Sequence, residues 1–182
     1  MGSVIAVEYV SLDGVADNLE WTTPYFNSEL QKFQHDNLFQ SDALLLGRVT
    51  YEGFKSAWPT MPDEQGFADR MNSIRKYAAT TTLSDPEWNA SFIKGDVAEA
   101  VAGLRATDMT LLINGSITLL NYLGRHNLVD EYRVMVFPVL ARAGLAVSCS
   151  RRRRTGSRSW PPCGPAPGAV RPARGPRHRG RT

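Results

Sequence analysis

The sequence predicts an α/β fold in which a mainly parallel sheet is flanked by helices. Short apolar runs alternate with helical patterns over residues 4–140, and this alternation is typical of strand–helix–strand units. Two segments, LLLGRVT and LLINGSI, each combine an apolar run, a glycine and a polar helix start. Such a pattern is expected where a buried strand runs directly into a helix.

Local composition defines the individual elements. Val4 to Leu12 is apolar and rich in β-branched residues, which predicts a strand that ends at the Asp13-Gly14 turn pair. Apolar residues at helical spacing predict an amphipathic helix over residues 25–40, after a loop over residues 18–25. By the same criteria we expect further strands over residues 43–46, 76–83, 88–94, 109–113 and 127–140, and helices that begin at Arg48, Val97 and Ile117.

Charge divides the chain near residue 141. Residues 1–141 contain 10 Lys and Arg against 18 Asp and Glu, which leaves a formal charge of −8, whereas residues 142–182 contain 11 Arg and no acidic residue. The overall charge of +3 hides this division. Because the body of the chain is acidic, we do not expect nucleic acid to be its main partner.

The sequence carries no pattern that directs it to a membrane or to a metal. Residues 1–6 lack the basic start of a signal peptide, and no apolar run approaches the length of a bilayer span. The two cysteines, Cys149 and Cys163, have no metal-binding spacing. We therefore expect a cytoplasmic protein without membrane contact, disulfides or a metal.

The two strand–glycine–helix junctions are candidate anion sites. A helix start presents unpaired N–H groups and the positive end of the helix dipole, and Arg48 and Thr50 add a guanidinium and a hydroxyl group. The carboxyl ends of parallel strands share one crevice, so two such junctions fit a ligand with more than one phosphate, such as a dinucleotide. The alternative is an ordinary turn with a solvated arginine.

Five motifs in order carry a family resemblance. They are SLDG (residues 11–14), LLLGRVTYEGF (44–54), TTTL (80–83), INGS (113–116) and LVDEYRVMVFPVL (128–140). On these motifs the chain resembles the dihydrofolate reductase-like superfamily and, more closely, the C-terminal reductase domain of bifunctional riboflavin biosynthesis proteins (RibD). The resemblance implies a three-layer dihydrofolate reductase-like fold, with residues 1–141 as the reductase domain. The G-x-G-x-x-G fingerprint of the ordinary Rossmann fold is absent.

This resemblance implies NADPH as cofactor, bound across the carboxyl ends of the strands. On the adenosine side, it implies that the phosphates contact Gly47, Arg48 and Thr50, and that the ribose and its 2′-phosphate contact Thr81, Thr82 and Leu83. The pyrophosphate would contact Asn114, Gly115 and Ser116. The nicotinamide and the substrate would contact Leu12, Asp13 and Gly14.

Asp13 is the candidate catalytic acid, because it closes the first strand at the mouth of the crevice. The alternative is a structural Asp-Gly turn. Trp21, Tyr25 and Trp58 are candidates for stacking on a planar heterocyclic substrate, with loop-anchoring core packing as the alternative.

We therefore expect an NADPH-dependent reductase of a small heterocyclic molecule, similar to 5-amino-6-(5-phosphoribosylamino)uracil reductase. No basic cluster is clearly reserved for a ribose phosphate, which leaves the substrate open. One alternative is dihydrofolate reductase proper, although Glu29 and Asp36 lie off the apolar face of the first helix. Another is a non-catalytic nucleotide-binding or RNA-binding remnant. The resemblance also implies a homodimer.

Residues 142–182 differ in character from the rest of the chain. They contain 11 Arg, 6 Pro and 6 Gly, a composition that predicts disorder. An arginine-rich arm for nucleic acid is one interpretation. The other is a frameshifted end, since related proteins continue with a glycine-rich turn and two more strands. In that case the C-terminal strands are missing, and residues 134–140 form an exposed apolar edge.

Overall fold

The structure is a computed structural model that describes residues 2–147. This part of the chain contains six strands: β1 (Ser3–Ser11), β2 (Ala43–Gly47), β3 (Arg75–Ala79), β4 (Ala90–Ile93), β5 (Thr110–Asn114) and β6 (Glu131–Phe137). The α-helices are α1 (Ser28–Phe39), α2 (Arg48–Ala57), α3 (Phe67–Ser73), α4 (Val97–Arg105) and α5 (Ile117–Arg125), and two 3₁₀ helices cover Leu19–Tyr25 and Trp58–Thr60.

The six strands form one parallel sheet in the order β4-β3-β2-β5-β1-β6. Because every strand runs in the same direction, Ser11, Gly47 and Asn114 close their strands at the same edge of the sheet. This arrangement confirms the predicted α/β class.

Helices cover both faces of the sheet, which gives three layers. Residues of α4 and α5 pack on the face that carries Val4, Ala6 and Leu45. On the other face, residues of α1, α2 and α3 pack on Ile5 and Leu44. The central strands are therefore apolar on both sides, as is typical of parallel sheets.

The start of the first helix differs from the prediction. Leu19–Tyr25, predicted as a loop, forms a 3₁₀ helix that contains Pro24. The helix predicted from residue 25 begins only at Ser28, because the side chain of Asn27 accepts a hydrogen bond from the Leu30 N–H and caps it.

Two strands end earlier than predicted. The strand predicted over residues 76–83 stops at Ala79, since the Thr80 hydroxyl accepts hydrogen bonds from the Thr82 and Leu83 N–H groups, both 3.2 Å, and turns the chain. The strand predicted to residue 140 stops at Phe137. In both cases the β-branched or apolar composition continues past the last residue that pairs with a neighbouring strand, so the predicted strand was too long.

The chain after β6 returns to the loop that follows β1. Asp13 accepts hydrogen bonds from the N–H groups of Ala141 and Arg142, and Ala146 forms an antiparallel bridge with Val15. Within residues 2–147, β6 is an edge strand of the sheet. Its Val134 and Val136 side chains are exposed.

The predictions for residues 148–182, including Cys149, Cys163, the basic arm and the frameshifted end, lie outside the described residues. Among residues 2–147, no helix combines the length and apolarity that a bilayer crossing requires.

Candidate functional site

A cleft with a volume of about 680 Å³ lies at the carboxyl end of the sheet. Its walls come from the ends of β1, β2 and β5, the loop after β1 and the first turns of α2 and α5. The central lining residues are Glu8, Gly47, Arg48, Thr50, Asn114, Gly115 and Ser116. The cleft therefore contains both strand–glycine–helix junctions that the sequence singled out.

The two junctions are in direct contact. The backbone N–H of Gly47 donates a hydrogen bond of 2.9 Å to the Ser116 hydroxyl group. A Cβ atom at Gly115 would lie 3.5 Å from Cγ2 of Thr50. The starts of α2 and α5 thus converge on one space, and Gly47 and Gly115 line the same cleft.

The turn before α5 depends on its glycine. Gly115 has a φ angle of +74° and Ser116 a φ angle of 61°, and two successive residues in the left-handed region are uncommon. Such a turn presents backbone N–H groups to one point, and anions bind in such concavities. The turn and the start of α5 together make this wall suitable for a phosphate group.

Arg48 is the cation of the cleft. Its guanidinium donates to the Glu52 carboxylate over 2.7 Å, and its side chain is 44% exposed. Arg48 also lines an adjacent hollow of about 240 Å³ with Thr81 and Gly95. Arg48 is therefore placed to bind an anion in either space, and its ion pair with Glu52 holds the guanidinium beside the start of α2.

The structure brings together most of the predicted cofactor residues. Gly47, Arg48, Thr50, Asn114, Gly115 and Ser116 line the cleft, and Thr81 lines the adjacent hollow. The other predicted residues do not line either space in the described part of the chain: Leu12, Asp13, Gly14, Trp21, Tyr25, Trp58, Thr82 and Leu83. The nicotinamide-side and substrate-side predictions stay predictions.

Asp13 occupies the position of a structural turn residue. Its carboxylate accepts hydrogen bonds from the Ser11 hydroxyl, at 2.6 Å, and from the backbone of Ala141 and Arg142. These hydrogen bonds, the Ser11 hydroxyl first, lower the pKa of Asp13 to about 2. At neutral pH this carboxyl is ionised and has no proton to donate, so the geometry favours the turn interpretation.

The predicted substrate aromatics lie in two packed groups. Trp21 and Tyr25 surround the Phe137 ring, with centroid distances of 5.5 and 6.0 Å. Trp58 packs between Phe54 and Phe67 beside α3. Trp21 and Trp58 are half-buried in these contacts, which agrees with the core-packing alternative, whereas Tyr25 is exposed.

Glu8 is the cleft residue that the sequence reasoning missed. It lies near the end of β1, is 3% exposed and lines the cleft. A single acidic residue at an inward-facing position of an otherwise apolar strand was the available signal, because strand side chains alternate between the two faces. Among residues 2–147, no three His, Cys, Asp or Glu side chains are grouped so that they could hold a metal ion.

Comparisons with known proteins relate this arrangement to one family. Residues 3–144 match the sequence model of the RibD C-terminal domain, which is well over half of the chain. No curated protein matches the chain.

Three solved structures share the fold. A protein assigned to riboflavin biosynthesis from Shewanella sp. PV-4 gives a TM-score of 0.65 at 22% identity, over 82% of this chain and 86% of that chain. Dihydrofolate reductase from Enterococcus faecalis, complexed with NADP(H) and RAB-propyl, gives 0.53 at 16% identity, over 80% and 77% of the two chains.

The third structure is a diaminohydroxyphosphoribosylaminopyrimidine deaminase/5-amino-6-(5-phosphoribosylamino)uracil reductase from Thermotoga maritima. It gives a TM-score of 0.54 at 17% identity over 80% of this chain, which spans 47% of that protein's length. These structures identify a dihydrofolate reductase-like fold for this chain. The family match shows that this chain belongs to the RibD C-terminal domain family.

Proposed function

We propose that the chain is a reductase that binds NADPH in the cleft and reduces a small heterocyclic substrate. One observation carries the proposal: the starts of α2 and α5 meet in a single cleft, tied by the hydrogen bond between Gly47 and Ser116. Two helix starts in one space supply positive potential at two points, as a ligand with linked phosphates requires.

The cleft suits the cofactor in size and in chemistry. Its volume of about 680 Å³ lies within the range of small-molecule sites, roughly 300–1,000 Å³. Arg48 and Thr50 at the start of α2 would hold the adenosine-side phosphates, and the Gly115-Ser116 turn would hold the pyrophosphate. The adjacent hollow between Arg48 and Thr81 is suited to a ribose 2′-phosphate, because a guanidinium binds phosphate oxygens in pairs.

The bound nicotinamide would supply the hydride, and the chain would supply position and shielding. The glycine-rich wall allows close approach of the backbone to the pyrophosphate, which fixes the cofactor along the sheet edge. The apolar side chains of Leu119 and Phe54 both line the cleft and would limit the access of water to it.

The comparisons support the reductase class. The Enterococcus structure contains NADP(H), and the Thermotoga protein is named as a uracil-type reductase. We therefore place the substrate among small pyrimidine-like heterocycles. Dihydrofolate reductase itself is less well supported, because Glu29 of α1 is exposed and Asp36 is paired with Lys32 at the surface.

A binding titration tests the cofactor. We expect NADPH to quench tryptophan fluorescence of the full chain, and Arg48→Ala to weaken binding by about tenfold, the loss of a charge-assisted hydrogen bond. Arg75→Ala is the matched control, since Arg75 is an exposed arginine at the start of β3, the end of that strand away from the cleft. Equal affinity of the two variants, or no binding by the unmodified chain, would contradict the proposal.

A turnover assay tests the reaction. We expect the NADPH absorbance band to decay in the presence of a pyrimidine that carries a reducible carbonyl or imine group, and not with dihydrofolate. Tight cofactor binding without oxidation across the whole panel would favour the non-catalytic nucleotide-binding alternative.

A further inference from the structure

The buried acid Glu8 lies in the wall of the cleft, and none of the proposed cofactor contacts involves it. Glu8 projects from the face of β1 that also carries Val4, Ala6 and Val10, all of them in one apolar cluster. The side chain is 3% exposed, and its Oε1 atom has no hydrogen-bond partner within the described residues. A buried, unpartnered carboxyl oxygen at a ligand cleft requires an explanation.

Among the described residues that line the cleft, no cationic side chain is free to pair with Glu8. On β6 the residue opposite Glu8 is Val134, and α4 contributes Val97 to the cleft wall. The other charged or titratable side chains that line the cleft are Arg48 of α2, Asp17 of the loop after β1, Tyr9 of β1 and Tyr122 of α5. The guanidinium of Arg48 is held by Glu52, so Glu8 lacks an ion-pair partner.

Burial therefore keeps the carboxyl neutral. Loss of solvation raises the pKa of Glu8 to about 9, and the N–H of Gly115 offsets only part of this shift. At neutral pH Glu8 carries an O–H group, and this hydrogen-bond donor has no acceptor among residues 2–147.

The position of Gly115 indicates what the acceptor is. Its backbone N–H faces the Glu8 carboxyl and belongs to the left-handed turn before α5. An anion held by the backbone N–H groups of this turn would lie against Glu8. An ionised carboxylate would repel that anion, whereas a carboxylic acid offers it a second donor.

We propose that the neutral carboxyl of Glu8 is a phosphate-binding donor in the floor of the cleft, which donates its O–H to a phosphate oxygen of the dinucleotide beside the Gly115 N–H. This inference rests on the proposed function, since the dinucleotide supplies the phosphate. It makes cofactor binding proton-linked: Glu8 must carry its proton for the dinucleotide to bind tightly.

The pH dependence of NADP⁺ affinity tests the inference. For the full chain we expect constant affinity near neutral pH and a fall of about tenfold per pH unit above the pKa of Glu8. Glu8→Gln retains a donor that cannot ionise, so its affinity stays within about threefold at neutral pH and does not fall at high pH. Glu8→Leu lacks the donor and cannot ionise, so it binds about tenfold more weakly than the unmodified chain at neutral pH and shows no further fall at high pH.

Asp17→Asn is the matched control, because Asp17 is a second acid on the same cleft but is exposed. It keeps the pH profile of the unmodified chain. Circular dichroism at each pH confirms that the fold is retained. A pH-independent affinity in the unmodified chain, or a Glu8→Gln profile identical to it, overturns the role of Glu8 and leaves the proposed function standing. No NADP⁺ binding at any pH overturns both.

Infrared spectroscopy of the unmodified chain gives a readout that requires no variant to fold. We expect a protonated-carboxyl band at neutral pH that shifts when NADP⁺ binds and disappears as the pH rises through about 9, the pKa of Glu8. Glu8→Gln lacks this band. A band that is absent at neutral pH, or that does not respond to NADP⁺, overturns the inference.

Discussion

The Gly47 N–H donates a hydrogen bond to the Ser116 hydroxyl over 2.9 Å, which ties the end of β2 to the start of α5. β2 and β5, the strand that leads into α5, are neighbours in the sheet, yet Gly47 and Ser116 are far apart in the chain. The hydrogen bond fixes the distance between two helix starts, and this distance determines whether both can bind the same ligand. The cleft is therefore built by a contact between backbone and side chain across two elements.

Removal of this hydrogen bond tests how far the cleft depends on it. We expect Ser116→Ala to lower the free energy of unfolding by about 1 kcal/mol, the usual value of one hydrogen bond. Under the proposed function it also weakens NADPH binding. Chemical denaturation and the fluorescence titration measure the two effects. Ser56→Ala, at an exposed position of α2, is the control and should change neither. Unchanged NADPH affinity in Ser116→Ala would show that the bond does not set the cleft.

The two glycines of the cleft should respond differently to alanine. Gly115 has a φ angle of +74°, so Gly115→Ala forces a side chain into the left-handed region and costs about 1 kcal/mol of stability. Gly47 has a φ angle of −81°, and a Cβ there would be 3.7 Å from Cβ of Ser116, an ordinary contact. Gly47→Ala should therefore retain its stability while the added methyl group weakens NADPH binding. Equal destabilisation by Gly115→Ala and Gly47→Ala would contradict the view that only Gly115 requires a glycine for its backbone conformation.

Much of the architecture could be predicted because local signals determine it. Helix α4 begins where Asp96 caps it, with hydrogen bonds from the Ala98 and Glu99 N–H groups. The junction at Gly47 was recognisable because a buried strand passes directly into α2. Strand ends were less predictable, since the end of β3 depends on the Thr80 turn and on where its neighbours stop.

The site was predictable only where backbone geometry defines it. Gly115 and Ser116 could be placed in the cleft because the carboxyl ends of parallel strands meet. The surroundings of Asp13 could not be predicted, since its partners Ala141 and Arg142 come from the other end of the domain. Glu8 was missed for a similar reason: its burial arises from β6 and α5, which are distant in sequence.

Asp13→Asn separates the structural role of Asp13 from the catalytic one. The pKa of Asp13 is lowered in the folded chain from 3.8 to about 2, so its stabilising contribution is fully present above 3.8 and is lost as the pH falls through about 2. We expect Asp13→Asn to melt at a lower temperature at neutral pH, and this difference to shrink in acid. Glu64→Gln, at an exposed position, is the control. Loss of turnover in Asp13→Asn at temperatures where it is fully folded would restore Asp13 as the acid.

Glu8 should make stability depend on pH in the opposite sense. Its pKa is raised in the folded chain from 4.5 to about 9, so the folded state binds the extra proton throughout this range. Its contribution to stability is fully present below 4.5 and is lost as the pH rises towards 9, at up to about 1.4 kcal/mol per pH unit.

Glu8→Gln removes this dependence, because an amide does not titrate. We expect the variant to gain stability relative to the unmodified chain as the pH rises from 5 to 9, by about 1–3 kcal/mol once relaxation around the charged carboxyl is allowed for. Urea denaturation at a series of pH values measures the difference, and Asp17→Asn should follow the unmodified chain. Parallel curves for Glu8→Gln and the unmodified chain would mean that Glu8 is ionised in the fold, which would leave a carboxylate where the proposed cofactor requires a donor.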